Sequence, residues 1–283
     1  MYRIIALAAL LFVGCQNSTT DNDRINVVAT IPPIQFLVDR IADTTVNTFT
    51  LLGETTSPET FDITPAGMKH IANSDLIFSI GLIDFENSIE QKLMSSAPKS
   101  LYVKLSDETT SIAGTCSHGD HSHAHGVDPH VWLSLANMKI ITEKVAAILI
   151  EKLPENKKLY IKNRDNLINE IVSINAKADS ALKNVNSFAI VHPSLSYFAR
   201  DYNLTQVAIE QDGKEPSAAA LKILIDELKT KNCETIFYSR QNPVTVANHI
   251  ANEIGAKTVE YDPVQYQWMD GMKSIIETLT EKK

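Results

Sequence analysis

Five of the chain's eight histidines fall between His118 and His130. The run Cys116-Ser-His118-Gly-Asp120-His121-Ser-His123-Ala-His125-Gly places four imidazoles, a thiol and a carboxylate close together. Neutral imidazole is a good donor for zinc, copper and nickel, and short His-rich tracts commonly bind metal. A stretch this polar and Gly-containing fixes no single geometry, so 116–126 reads as a loop that collects metal weakly through several side chains. The bland alternative is a solvated loop with no role.

His130 differs in kind. It sits in Asp128-Pro129-His130-Val131-Trp132, directly ahead of a helical pattern that begins at Ser134. Pro129 stiffens the backbone and Trp132 can pack, and a strong ligand needs such a platform. His192 follows the apolar run 187–191 and precedes Pro193; Asp262 follows 257–261 and precedes Pro263; Glu59 lies after 46–52 in Ser57-Pro58-Glu59. Four metal-competent residues thus stand in loops or at strand ends, each beside a proline, two in each half of the chain. Each alone is ordinary; the set is not. His70 and His249 fall inside helical patterns and read as structural.

The elements that must position these residues alternate. Strand-like runs at 25–30, 46–52, 75–80 and 100–103 are separated by helical patterns at 36–42, 65–73 and 85–95. The helix at 134–153 follows the His-rich loop, and Pro154 then opens a new segment. From 155 to 183 the chain has no Pro or Gly, and Tyr160, Leu167, Ile171, Ile174, Ala178 and Leu182 recur at helical spacing. The alternation restarts with strands at 187–191, 204–209, 235–238 and 257–261 and helices at 194–201, 217–231, 243–254 and 269–279. Buried apolar runs alternating with amphipathic segments predict parallel sheets covered by helices. The fold class is α/β: two lobes, each a mostly parallel sheet flanked by helices, joined by one long rigid helix. The divisions are a signal segment 1–14, a lipidated tether 15–24, an N-terminal lobe 25–153, a connecting helix 154–185 and a C-terminal lobe 186–283. Ligands of such open sheets bind at the strands' carboxyl ends, so a cleft between the lobes is the expected site.

The N-terminus and bulk properties narrow the setting. Arg3 precedes an apolar run 4–13 and then Gly14-Cys15. That run suits a signal peptide and is too short to span a bilayer. Gly14-Cys15 resembles a lipidation site, although Phe12 stands where leucine is usual, and makes Cys15 the lipidated residue of an exported, membrane-anchored protein. Hydrophobic residues make up 44% of the 283, enough for real cores. The net charge of −8 argues against nucleic acid and favours a cationic ligand. Export permits a disulfide, but Cys116 and Cys233 fall in different halves and their pairing stays open.

Taken in order, several segments resemble the zinc and manganese binding lipoproteins of ABC importers. They are Ser57-Pro58-Glu59-Thr60-Phe61-Asp62-Ile63-Thr64-Pro65, Ala72-Asn-Ser-Asp-Leu-Ile77 with Gly81 and Glu86, Asp128-Pro-His-Val-Trp132, Val191-His192-Pro-Ser-Leu-Ser-Tyr197-Phe, Glu215-Pro216-Ser217 and Tyr261-Asp262-Pro263. The resemblance runs from Ile25 to the C-terminus. It implies two lobes around a metal ion, with Glu59, His130, His192 and Asp262 as ligands. It also implies a membrane permease as partner, a monomer, and no enzymatic activity. The family usually has histidine where this chain has Glu59. Two carboxylates move the preference toward Mn2+ or Fe2+, but Zn2+ accepts carboxylate too and the His-rich loop favours it, so zinc leads. A zinc-dependent exported hydrolase is the other class considered. It needs an open coordination position and a general base, and no HExxH pattern is present. An adhesin has no direct support.

Deleting 116–125 is expected to leave one tight site while removing weaker ones. Zinc titration of the intact and deleted proteins checks this, and loss of the tight site would put the loop inside the primary coordination sphere.

Overall fold

A computed structural model of the chain describes residues 24–53, 56–96, 100–113, 126–210, 214–240 and 244–281. Strands β1 (Asn26–Ala29), β2 (Asn47–Thr50), β3 (Leu76–Ser79) and β4 (Leu101–Lys104) form one parallel sheet in the order β2-β1-β3-β4. Strands β5 (Ser187–Ile190), β6 (Thr205–Ala208), β7 (Thr235–Ser239) and β8 (Lys257–Tyr261) form a second, in the order β6-β5-β7-β8. The two sheets repeat one topology. Central strands such as Leu76-Ile77-Phe78 are buried throughout, as the continuous apolar run requires of a sheet covered on both faces.

Helices α1 (Pro32–Ala42), α2 (Pro65–Ala72), α3 (Asp84–Ser96) and α4 (Leu135–Lys152) belong to the first half. The connecting helix is α5 (Lys157–Ala181), and α6 (Ser196–Asp201), α7 (Ala218–Thr230), α8 (Val244–Ile254) and α9 (Trp268–Thr280) complete the second. Several starts were legible in the sequence. Ser134 and Ser217 cap α4 and α7 by accepting from Asn137 and Ala220 amides, at 3.0 and 3.3 Å. One start departs from expectation. The helix expected over 36–42 begins earlier, with Pro32-Pro33 as the first residues of α1. Proline costs nothing there, because the first turn's amides lack helical partners anyway. Among the described residues, no helix is long and apolar enough to cross a membrane.

The carboxyl ends of β1 and β3 are clamped by Glu86, a buried residue in the first turn of α3. Its carboxylate accepts from the Thr30 hydroxyl at 2.5 Å and from the amides of Ile80, Gly81, Leu82 and Ile83. Gly81 has φ +83, and an added Cβ would sit 2.9 Å from Lys104 Cγ, so this turn requires glycine.

Short 3-10 turns, Pro154–Asn156 and Leu182–Asn184, flank α5. At 1.5 Å per residue the helix itself is about 38 Å long. Its buried stripe is Tyr160, Leu167, Ile171, Ile174 and Ala178, continued by Leu182, and it packs on α1, α4 and α9. Asn163 donates to the Ile41 carbonyl at 3.0 Å, and Tyr202 donates to Asn175 at 2.8 Å. The rod is thereby fastened to both halves.

One apolar cluster runs from Val27 and Phe78 through Trp132 and α5 to Phe188, Trp268 and Met272, and a second, around Val207, Leu228 and Ile250, lies within the second half. The boundary between lobes is thus packed with apolar side chains. Both tryptophans of the chain lie on it. Trp132 Nε1 donates to the Pro263 carbonyl at 2.7 Å, and Trp268 Nε1 donates to the Trp132 carbonyl at 2.8 Å. Tyr266 adds a third link to Asp39 at 2.8 Å.

Trp268→Phe removes one of these buried donors and leaves the Trp132 carbonyl unpaired, a loss of about 1–3 kcal/mol. Urea unfolding with one cooperative transition is the expected readout; an unchanged midpoint would show that the two halves do not depend on this link.

Candidate metal centre

Glu59 lies in the loop after β2. Its amide reaches Ser57 Oγ at 3.3 Å and Pro58 before it is buried, so a local turn anchors a side chain that itself remains about a third exposed. His130 is buried and opens the 3-10 turn Val131–Leu133 ahead of α4. Asp128 Oδ1 accepts both from the His130 amide and at its ring Nδ1, each at 2.9 Å. His192 follows β5, whose pairing with β7 continues through the Val191 amide to the Phe237 carbonyl at 2.9 Å.

These segments bring Glu59, His130 and His192 together. One ligand-capable atom from each lies within 4.8 Å of the others. The imidazole centroids of His130 and His192 are 5.5 Å apart. His192 Nε2 is 2.5 Å from Glu59 Oε1, and Nδ1 is 3.4 Å from Glu210 Oε2. Two nitrogen donors and one oxygen donor suit zinc, whose tetrahedral ligands stand about 3.3 Å apart at ordinary bond lengths.

Charge dominates the surroundings. Burial disfavours a proton on His192, but the Glu210 and Glu59 carboxylates outweigh it and lift the imidazole to about 9. Burial likewise works against an ionised Asp128, yet contacts from His130 and Ser196 hold its carboxyl below the usual range. Tyr261 is driven up by burial, opposed by its bond to Ser194, with the charges of Glu59, Asp262 and Asp128 adding to the rise.

Asp262 stands apart from the close group. Its Oδ1 accepts from the Val264 amide at 3.0 Å, capping its own turn, while its charge still reaches the same Tyr261 hydroxyl as that of Glu59. His70, in α2, stacks on Phe49 of β2, and His249 is exposed on α8; neither belongs to the cluster. Cys15 and Cys116, and the loop residues His118, Asp120, His121, His123 and His125, lie outside the described residues. Cys233 is buried and free among them, its thiol 3.2 Å from the Ser187 hydroxyl. A cavity of about 200 Å³ beside Cys233 and Gly255 sits at the amino ends of the second sheet, away from this chemistry.

Sequence reasoning missed the two carboxylates behind the imidazoles. Asp128 was visible as part of Asp-Pro-His, where an acidic side chain can bond the amide two residues on. Glu210 follows β6 at the same strand end that singled out His192 and was open to the same argument.

The chain is 26% identical over 275 residues to the zinc-binding lipoprotein AdcA of Streptococcus pneumoniae strain R6, a match covering 93% of this chain and 54% of that protein. The chain thus spans about half the length of that relative. It is 28% identical over 279 residues to the high-affinity zinc uptake system protein ZnuA of Bacillus subtilis, covering 90% and 85% of the two. A crystal structure of ZnuA superposes with a TM-score of 0.82 at 29% identity, covering 91% of this chain and 98% of that one. The family model for ZnuA, zinc-uptake complex component A periplasmic, matches residues 27–282, and the chain belongs to that family.

Proposed function

We propose that this protein is an extracytoplasmic binding protein that captures a divalent transition-metal ion, zinc first, and delivers it to the membrane permease of an ABC importer. The carrying observation is the convergence of Glu59 and His130 from one half of the chain with His192 from the other. Coordination by these three, with Asp262 turning in from its cap as a fourth, supplies two imidazoles and two carboxylates. Four protein ligands serve tight, reversible holding rather than catalysis, which needs an open position. Anchoring through Cys15 and ion collection by the 116–126 loop belong to the same reading. The match to a zinc-binding lipoprotein supports it.

A manganese or iron cargo is the second reading. Glu59 favours it, since oxygen donors suit harder cations and nitrogen donors suit zinc. Zinc titration of metal-stripped protein, with manganese as competitor, separates the two. Glu59→Ala is expected to weaken zinc binding by about 10-fold or more, or about 1.4 kcal/mol. Unchanged affinity would remove Glu59 from the coordination sphere.

The cargo must displace a proton from His192, because only neutral imidazole coordinates. Zinc binding is therefore expected to strengthen as pH rises toward about 9. Metal-stripped protein should behave oppositely. His192 titrates above its ordinary value of 6.5, so its charge stabilises the fold below about 6.5, and that contribution is lost as pH rises through about 9. Thermal unfolding in chelator across this window checks the sign, and His192→Gln should flatten the slope.

A further inference from the structure

The two imidazoles of the cluster share a feature that their ligand role does not by itself demand: each has a carboxylate against Nδ1. For His130 the partner is Asp128, two residues away. For His192 it is Glu210, 18 residues further along the chain and on a different strand end. We infer that Glu210 is a positioning residue: its carboxylate holds the Nδ1 proton of His192 and keeps Nε2 facing the cleft as the donor atom. This rests on the proposed metal-binding reading and names a residue that acts behind the ligand rather than on the ion.

The placement is built into the sheet. Strands β5 and β6 pair in parallel, with Ile190 opposite Ala208. The pairing runs on past both strands, as the Ile209 amide donates to the Ile190 carbonyl at 2.8 Å and the Glu210 amide donates to the Val191 carbonyl at 3.0 Å. Glu210 is thus bonded through its backbone to the residue immediately before His192. Its side chain is only 14% exposed, so it is not a surface carboxylate that happens to lie near.

The geometry also separates the roles of two carboxylates. Glu59 meets the ring at Nε2 and Glu210 meets it at Nδ1. Only Glu59 shares the group of ligand-capable atoms with His130; Glu210 stands behind the ring. Neutral imidazole carries one proton, on one nitrogen or the other, and the nitrogen that carries it cannot coordinate. An anionic acceptor at Nδ1 decides the matter and makes the opposite nitrogen more basic. The Nδ1 contact, at 3.4 Å, is longer than an aligned N–H···O bond, and the Glu59 carboxylate lies against the other ring nitrogen.

The test uses the full chain and its Glu210→Ala, Glu210→Gln and Glu210→Asp variants. Imidazole nitrogen NMR, with and without zinc and above about pH 9 where the metal-free ring is neutral, reads which His192 nitrogen carries the proton, and chelator competition reads zinc affinity. Glu210→Ala is expected to lower affinity about 10- to 100-fold and to give a mixture of protonated nitrogens. Glu210→Gln, which keeps an acceptor oxygen without the charge, should preserve the Nδ1 proton with a smaller loss. Glu210→Asp should restore part of the affinity. An alanine variant that keeps both the wild-type affinity and a wholly Nδ1-protonated ring would overturn the assignment; should that variant not fold, an unchanged affinity in Glu210→Gln would do so. Wild-type protein that shows the Nδ1 proton but takes up no zinc would sink the metal-binding reading and leave the positioning role standing.

Discussion

Everything at the cluster depends on a fixed distance between two separate sheets. Glu59 and His130 hang from the first and its connections, His192 from the second. Ligand bonds to a metal tolerate errors of a few tenths of an ångström, so neither half can be allowed to drift. The chain meets this demand with apolar packing rather than a covalent link. One core passes through both lobes, a helix about 38 Å long lies along it, and two indoles each donate to a carbonyl across the boundary. A hinge made of a short loop would surrender that spacing; a helix fastened at Asn163 and Asn175 does not.

The second demand is electrostatic. Glu59, Asp128 and Glu210 crowd around two imidazoles, with Asp262 on the margin. Such a group of like charges is unfavourable unless a cation joins it. A proton on His192 answers part of the repulsion, and a divalent ion would answer more. Four of the chain's 34 acidic residues, Glu59, Asp128, Glu210 and Asp262, thus lie at or beside the imidazoles, a local charge that would favour a cation over an anion.

Much of this could be read from the residues. Continuous apolar and β-branched runs gave every strand to within a residue or two, because buried parallel strands leave little freedom in composition. The helix α5 was legible from its spacing and its want of Pro and Gly. Proline neighbours and strand ends picked out Glu59, His130 and His192. What escaped depends on contacts made at long range. Glu210 matters only through the register of β5 against β6. The tryptophan links join residues 131 and 136 apart in sequence, and each acceptor is a backbone carbonyl that any residue could supply. The early start of α1 at Pro32 escaped because proline both ends strands and opens helices. Asp262 shows the limit from the other side: the sequence finds the residue, and only the fold shows its oxygen occupied by the Val264 amide.

The boundary tryptophans give the molecule an optical property as well as a mechanical one. The chain has two indoles, both buried against the partner half, and the ring of Trp132 lies 5.2 Å from that of His130. All intrinsic indole emission therefore originates at the seam between lobes, and half of its sources sit next to a proposed ligand. Light absorbed by the protein near the red edge of its ultraviolet band samples the one region where cargo and lobe contact meet. Paramagnetic ions at the cluster would quench Trp132 first, so that the fold carries its own reporter without any added dye.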